Sequence, residues 1–185
     1  MQTTQYLDKV ITELSQTAPL ISNHEAEQLV NKMLESNKIF VAGAGRSGFM
    51  GKSFAMRMMH MGIDAYVVGE TVTANLEKED LLIIGSGSGE TKTLVSIAEK
   101  AKSIGGTVAA VTINPHSTIG SLADIIIKLP GSPKDQSAGD YRTIQPMGSL
   151  FEQTMLLFYD ALILRIMEKN GLDSNTMYGK HANLE

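Results

Sequence analysis

An apolar run leads directly into a glycine-rich turn at Ile39–Gly48, where the sequence reads IFVAGAGRSG. The same pattern returns at Leu81–Thr91 as LLIIGSGSGET. Each stretch is typical of a buried β-strand that enters a tight turn and opens a helix, because glycine permits sharp turns and close approach of a ligand. The first N–H groups of a helix are unpaired and carry partial positive charge, which suits a phosphate group. Two such turns therefore predict a phosphorylated small molecule as the ligand.

The order of apolar runs and helical patterns predicts an α/β domain. Periodicity of the apolar residues indicates two amphipathic helices at 3–17 and 24–36, followed by alternating strands and helices. The predicted strands cover residues 39–42, 65–68, 81–84, 108–112 and 125–129, and the helices between them cover about 47–61, 90–104 and 117–121. This alternation predicts a five-stranded parallel sheet in a three-layer α/β/α arrangement, built as a single domain over residues 1–185.

A polar segment rich in glycine and proline follows the predicted α/β core of residues 38–130. It runs from Pro130 to Pro146 and leads into a strongly apolar helix predicted over residues 148–170. The tail after Gly171 is polar, and we expect it to be partly extended.

The two glycine turns are expected to face one site. In open parallel sheets the ligand crevice lies beyond the C-terminal strand ends, at the point where the strand order reverses. The turns follow the first and third predicted strands, which are neighbours in the flavodoxin-like order 2-1-3-4-5. The alternation by itself is compatible with other orders, so the convergence of the turns is a prediction.

Composition excludes several classes of function. The 185 residues carry a net charge of −4, which provides no electrostatic basis for binding nucleic acid. The absence of cysteine excludes disulfides, thiolate metal sites and thiol catalysis, and four isolated histidines do not indicate a zinc site. The N-terminus lacks the pattern of a signal peptide, and no stretch reaches the roughly 20 apolar residues of a membrane-spanning helix. We therefore expect a cytoplasmic protein without a thiolate or zinc site.

A dinucleotide site is one alternative for the first turn. Gly43, Gly45 and Gly48 fit the pattern Gly-x-Gly-x-x-Gly of nucleotide-binding folds. The usual acidic partner at the end of the second strand is not clearly present, because Glu70, the nearest acid, is placed within a turn. The second, serine-rich turn has no role in that interpretation. Purely structural turns are the other alternative.

Taken together, the paired turns resemble those of the sugar isomerase (SIS) domain family, which binds phosphosugars. The likeness covers about residues 25–170, and Gly85–Thr91 is similar to the phosphate loop of that family. Four further stretches are most similar to its hexulose phosphate isomerase branch: Gly43–Gly48, Ala55–His60, Tyr66–Thr71 and Met147–Glu152. The resemblance implies interconversion of D-arabino-hex-3-ulose 6-phosphate and fructose 6-phosphate, in the ribulose monophosphate route of formaldehyde fixation. We expect no cofactor, because this reaction needs neither a metal nor a redox group. It also implies a homotetramer with active sites near subunit contacts.

Hydroxyl groups of the two turns are the predicted phosphate ligands. They belong to Ser86, Ser88 and Thr91, with Ser47 contributing from the first turn. Backbone N–H groups add donors, and the remaining residues of the predicted substrate-binding set are Gly45, Arg46, Gly87, Gly89 and Glu90. An alternative is that Ser88 or Glu90 only caps the following helix.

Glu152 is the predicted catalytic base. It lies one turn into the last predicted helix among apolar residues such as Phe151, where an ionised carboxylate costs desolvation unless it is compensated. Such surroundings can tune a carboxylate for proton transfer, and the family resemblance implies the same residue. A structural carboxylate favoured by the helix dipole is the alternative. Arg46 is predicted either to stabilise an enediolate or the phosphate, or to pair with a carboxylate such as Glu90.

His60 is the predicted second catalytic group, which would shuttle a proton between the substrate oxygens in a neighbouring subunit's site. A structural role is the alternative, since a cation is favoured at the end of a helix. His181 in the tail is a further candidate. The helix before His60 is rich in methionine, and part of it is expected to meet another subunit because one inward stripe cannot hold Met50, Met56, Met58, Met59 and Met61.

Two competing functions share the same domain. An arabinose 5-phosphate isomerase usually carries nucleotide-sensing repeats after the domain, and this sequence is short for that arrangement. A non-catalytic phosphosugar sensor would carry a basic DNA-binding module ahead of the first strand, where only 38 residues precede it here. The hexulose phosphate isomerase is therefore the preferred interpretation.

Overall fold

A five-stranded parallel sheet forms the centre of the protein. The computed structural model describes residues 1–132 and 142–184. The strands are β1 (Ile39–Gly43), β2 (Ala65–Val67), β3 (Leu81–Gly85), β4 (Thr107–Thr112) and β5 (Ile125–Lys128). They are arranged in the order β2-β1-β3-β4-β5, and every neighbouring pair is parallel. The order reverses between β1 and β3, which creates the crevice at the C-terminal edge of the sheet.

Helices cover both faces of this sheet. They are α1 (Thr3–Thr17), α2 (Asn23–Glu35), α3 (Gly45–His60), α4 (Lys92–Ile104), α5 (Thr118–Leu122), α6 (Ser149–Asn170) and α7 (Ser174–Tyr178), with a 3₁₀ turn at Ala18–Leu20 between α1 and α2. Helices α2, α3 and α6 pack on one face, and α4 and α5 pack on the other. No helix within the described ranges combines the length and the hydropathy needed to span a membrane.

The central strands are apolar because they are buried on both faces. Successive side chains of a strand point to opposite sides. In β1, Ile39 and Val41 therefore join the core under α2, α3 and α6, whereas Phe40 joins the core under α4 and α5. All four residues of the apolar run in β3 are at most 1% exposed. This double burial explains why these strands read as continuous apolar runs rather than alternating ones.

The fold predicted from the sequence is confirmed. All five predicted strands are present with ends within one residue of the prediction, and the strand order is the flavodoxin-like one. The predicted helices are present with ends within two residues. The connection at 70–79 contains no helix, as expected.

The tail, which was expected to be partly extended, also contains a short helix. Residues Ser174–Tyr178 form the short helix α7, because the Asp173 carboxylate accepts hydrogen bonds from the N–H and the Oγ1 of Thr176, both at 2.8 Å. The aromatic ring of Tyr178 then stacks on His181. Part of the polar segment predicted from Pro130 to Pro146 lies outside the described residues, at 133–141.

Candidate active site

The two glycine turns lie side by side at the C-terminal edge of the sheet. Strands β1 and β3 are neighbours, and their register pairs Gly43 with Gly85 at the strand ends. Helix α3 begins at Gly45, directly after the first strand, and α4 begins at Lys92 after the second turn. The predicted convergence of the turns is therefore confirmed, and two helix N-termini open toward the same crevice.

The first turn requires glycine at two positions because strand and helix touch there. A Cβ atom on Gly43 would lie 2.9 Å from the Cα of Gly48, and one on Gly48 would lie 2.8 Å from the carbonyl oxygen of Gly43. These distances are too short for a non-bonded carbon atom. A side chain at either position would push α3 away from β1. Close packing of the helix on the strand therefore explains Gly43 and Gly48, two of the three glycines that also fit the nucleotide-binding pattern.

The second turn is held by the connection between β4 and α5. Gly89 has a φ of 67°, and a Cβ atom there would lie 1.9 Å from the Ser117 Oγ. The Gly89 carbonyl accepts a hydrogen bond from the N–H of Ile119 at 3.1 Å, and the Gly87 carbonyl accepts one from the N–H of Ile113 at 3.2 Å. The turn is thus held in shape by the protein itself, which reduces the ordering cost of binding a ligand.

A cavity of about 460 Å³ opens between the two turns and the start of α6. Glu152 lines it, together with seven of the predicted binding residues: Gly45, Arg46, Ser47, Ser86, Gly87, Ser88 and Thr91. Three predicted site residues lie outside this lining, namely Gly89, Glu90 and His60. The volume suits a small-molecule ligand. Within the described residues, no group of three or more His, Asp or Glu side chains is arranged to hold a metal ion.

The serine hydroxyls of the second turn accept hydrogen bonds from the turn itself. Ser86 Oγ accepts from the N–H of Gly89 and Ser88 Oγ accepts from the N–H of Glu90, both at 3.2 Å. A hydroxyl that accepts still has a hydrogen to donate, so both groups can brace the turn and bind an anion. The residue that caps α4 is Thr91, and within the described residues its side chain makes no capping hydrogen bond. Neither Ser88 nor Glu90 occupies that cap position.

Glu90 connects the second turn to α5. Its carboxylate accepts hydrogen bonds from the N–H and the Oγ1 of Thr118, at 2.8 and 2.7 Å. These two hydrogen bonds hold the pKa of Glu90 below its usual value. An ionised carboxylate repels a phosphate anion, so the arrangement favours a supporting role for Glu90 over direct binding.

An ion pair joins the first turn to α6 at the cavity. The Nη1 of Arg46 lies 3.2 Å from the Oε2 of Glu152, and it donates a hydrogen bond to the Ser149 Oγ at 2.8 Å. The side chain of Glu152 is 12% exposed, whereas that of Arg46 is 49% exposed. Arg46 does pair with a carboxylate, but the partner is Glu152 rather than Glu90. The guanidinium therefore lies beside the predicted base.

Three further residues, two in the cavity wall and one beside it, escaped the sequence analysis. Ser149 contacts Arg46 and lies one turn before Glu152 on α6, so their helical spacing was a usable signal. Gly148 lies alongside the base, since a Cβ atom on it would be 3.6 Å from the Glu152 Oε1. Ser132 is 3% exposed and reaches the cavity from the segment after β5, where the sequence carries no periodic signal.

His60 lies far from the cavity of its own chain. It ends α3, about 22 Å along the helix axis from Gly45. Its ring is buried, stacks on His181 with ring centres 5.3 Å apart, and lies near Arg57. Burial, followed by the charges of Arg57 and His181, lowers the pKa of His60, so the neutral ring is favoured despite the helix dipole. A catalytic role of His60 therefore requires the cavity of a neighbouring subunit.

Comparison with known proteins identifies the family. The model of the SIS domain family matches residues 32–158, a range that includes both glycine turns, Arg46 and Glu152. This chain belongs to the SIS domain family. The fold expected of an SIS domain is the fold observed here.

Relatives within the SIS family extend over nearly the whole chain. The 3-hexulose-6-phosphate isomerase of Bacillus subtilis (strain 168) is 64% identical over 185 residues, covering 100% of both chains. The enzyme of the same name from Mycobacterium gastri is 36% identical over 182 residues, covering 98% of this chain and 91% of the relative. A crystal structure of a Methanococcus jannaschii protein, from which a function of 3-hexulose-6-phosphate isomerase was inferred, superposes with a TM-score of 0.84 at 34% identity. It covers 98% of this chain and 99% of its own.

Proposed function

We propose that the protein interconverts D-arabino-hex-3-ulose 6-phosphate and fructose 6-phosphate. Full-length relatives named 3-hexulose-6-phosphate isomerase support this assignment. The observation that carries it is a single cavity that combines the hydroxyls of two helix-opening turns with the carboxylate of Glu152. The protein is a phosphosugar isomerase, and its cavity provides a phosphate cradle and a base in one place.

The phosphate is bound by the two turns. Ser86, Ser88 and Thr91 from the second turn and Ser47 from the first present hydroxyl groups to one cavity. The N-terminus of α4 adds partial positive charge at this point. These groups offset the charge of a phosphate dianion without a lysine among the lining residues that the structure describes, and they hold the sugar by its C6 end.

The carbonyl moves from C3 to C2 through a cis-enediol intermediate. Glu152 removes the proton from C2, the electron pair of that C–H bond forms the C2–C3 double bond, and the C3 carbonyl oxygen takes up a proton. In the second half, the C2 hydroxyl loses its proton and the C2 carbonyl forms while Glu152 returns a proton to C3. One carboxylate on one face of the sugar therefore serves both carbon atoms.

Arg46 supports this chemistry from its place beside Glu152. A guanidinium has five N–H donors, and Nη1 alone makes both contacts to Glu152 and Ser149. The group can therefore hold the base and also stabilise the negative charge that develops on the enediolate oxygens. The proton that passes between the two substrate oxygens needs a second acid/base group. His60 of a neighbouring subunit is our candidate for that step.

The protein acts as a homo-oligomer in this proposal, and a tetramer is the state implied by the family resemblance. Most of the large apolar side chains that helices expose lie on three of them: Tyr6, Leu7 and Ile11 of α1, Phe49, Met56 and Met59 of α3, and Leu157 and Leu164 of α6. Exposed apolar side chains concentrated on a few helices favour burial against another subunit. The exposed methionines of α3, Met56 and Met59, are two of the five from which the sequence predicts a subunit contact, whereas Met58 is buried.

The identity of the product tests the proposed function. Fructose 6-phosphate labelled with ¹³C at C3 would be incubated with the protein and followed by ¹³C NMR. We expect the labelled signal to move from the alcohol region to the ketone carbonyl region, because C3 becomes the ketone carbon. An aldose–ketose isomerase would leave C3 as an alcohol. A C3 signal that stays unchanged at high protein concentration contradicts the assignment.

A further inference from the structure

The carboxylate of Glu13 in α1 accepts three hydrogen bonds from the segment that leads into α6. Its Oε2 accepts hydrogen bonds from the Thr143 Oγ1 at 2.6 Å and the Gln145 Nε2 at 2.9 Å, and its Oε1 accepts one from the N–H of Ile144 at 2.9 Å. Burial raises the pKa of Glu13, but these hydrogen bonds and the charge of Lys9 outweigh it and lower the pKa overall. One carboxylate thus holds three consecutive residues from a distant part of the sequence.

The segment bound by Glu13, residues 143–145, continues into a strained turn. Met147 has a φ of 58°, and within the described residues it is the sole non-glycine residue with positive φ. A bulky side chain in this conformation is unfavourable and persists where surrounding contacts hold the backbone in place. The Pro146 carbonyl, on one side of Met147, accepts a hydrogen bond from the N–H of Ser149 at 3.2 Å. The strained residue is therefore fixed between the Glu13 contacts and the first turn of α6.

The same turn places the proposed base. The Gly148 carbonyl accepts a hydrogen bond from the N–H of Glu152 at 3.0 Å, and Gly148 lies alongside the Glu152 carboxylate. Ser149, the next residue, meets Arg46. A shift of the backbone at residues 145–148 would therefore move Glu152 and the contact of Arg46 together. Only small displacements of a base are tolerated in proton transfer, because reacting atoms must be aligned.

We propose that Glu13 is a positioning residue for catalysis, which sets the orientation of Glu152 by clamping residues 143–145 ahead of α6. This inference rests on the proposed function of Glu152 as the base. It also gives α1 a role in the reaction, although this helix exposes most of its residues to solvent.

Substitution of Glu13 separates a positioning role from a purely structural one. Glu13→Ala is expected to lower kcat about tenfold with KM changed less than about twofold, because the phosphate cradle stays intact while the base moves. Glu13→Gln retains an oxygen that accepts part of the hydrogen bonding, so we expect a kcat between those of Glu13→Ala and the unmodified protein. Gln16→Ala, an exposed change on the same helix, is the matched control. All assays would be made well below the unfolding temperature of each variant.

The partner side of the clamp provides a second variant. Thr143→Val removes one of the three donors and should lower kcat less than Glu13→Ala does. The loss in the double variant should be smaller than the sum of the two single losses, because both changes remove the Glu13–Thr143 hydrogen bond, while Thr143→Val also removes the acceptor of the Gln145 N–H. Independent, additive losses would contradict a clamp between these residues.

Hydrogen exchange tests the clamp without relying on turnover. Amide protons of residues 147–152 should exchange faster in Glu13→Ala than in Gln16→Ala, while those of α4 remain unchanged. Unchanged exchange at residues 147–152, or a kcat equal to that of the unmodified protein, would overturn the inference. Failure of the proposed function is distinguishable, because it would show as an unmodified protein that does not isomerise fructose 6-phosphate or as an active Glu152→Gln variant.

Discussion

Glu152→Gln is expected to lose turnover by at least about a hundredfold while it still binds fructose 6-phosphate. The amide has the shape of the carboxylate, and its oxygen can still accept a hydrogen bond from Arg46. It cannot take a proton from a carbon atom, so the loss should fall on kcat. Steady-state turnover gives kcat, and calorimetry gives the affinity of the variant for fructose 6-phosphate.

A second glutamate on the same helix provides the control. Glu168 lies near the end of α6, is exposed, and pairs with Arg165 at 2.6 Å. Glu168→Gln removes the same charge from the same helix without touching the cavity, so turnover should remain within about twofold. Near-normal turnover of Glu152→Gln would remove Glu152 from the mechanism.

The double variant Ser86→Ala/Ser88→Ala should bind fructose 6-phosphate about a hundredfold more weakly. Hydrogen bonds to a charged group contribute roughly 1.5–3 kcal/mol each, and this variant removes two of them. Ser86 Oγ also accepts from Gly89, so loosening of the turn adds to the loss. Calorimetry with fructose 6-phosphate measures the effect, and circular dichroism shows whether the fold is retained.

Two serines of the adjacent helix serve as the matched control for this variant. Ser96 and Ser103 are exposed on α4, outside the cavity, and their double alanine variant should bind fructose 6-phosphate normally. Inorganic phosphate should compete with the sugar in the unmodified protein and compete poorly in Ser86→Ala/Ser88→Ala. Unchanged affinity of the Ser86→Ala/Ser88→Ala variant would place the phosphate elsewhere.

The framework of the site was predictable because it follows from short-range patterns. Glycine turns directly after apolar runs mark the C-terminal ends of parallel strands, and the alternation of strands and helices limits the sheet to few orders. These rules place Ser47, Ser86 and Ser88 in one crevice before any side chain is positioned. The apolar surroundings of Glu152 likewise come from its position in a helix whose buried face packs on the sheet.

Contacts between distant parts of the chain were not predictable in the same way. Arg46 forms its ion pair with Glu152, which lies 106 positions later in the sequence. It does not pair with the nearer Glu90, because the Glu90 carboxylate already accepts hydrogen bonds from Thr118. The hydrogen bonds between Glu13 and residues 143–145 are equally long-range. Such choices depend on how helices pack, and no local periodicity reports them.

The helix in the tail was missed for a related reason. A helix of five residues shows too little periodicity to be recognised. Its capping residue, Asp173, is a usable signal only in retrospect, since aspartate is equally common in turns. The position of His60 beneath this tail could not be anticipated from the sequence of α3 alone.

The central claim is that this cavity moves a carbonyl between C2 and C3 of a phosphorylated ketose. Incubation with fructose 6-phosphate in heavy water, followed by proton NMR, tests it most directly. The account predicts loss of the C3 proton signal with retention of both C1 protons, together with the appearance of a 3-ketose. Exchange at C1 would instead indicate aldose–ketose chemistry. An absence of exchange, with binding still detected by calorimetry, would contradict the assignment and favour a protein that senses the phosphosugar without converting it.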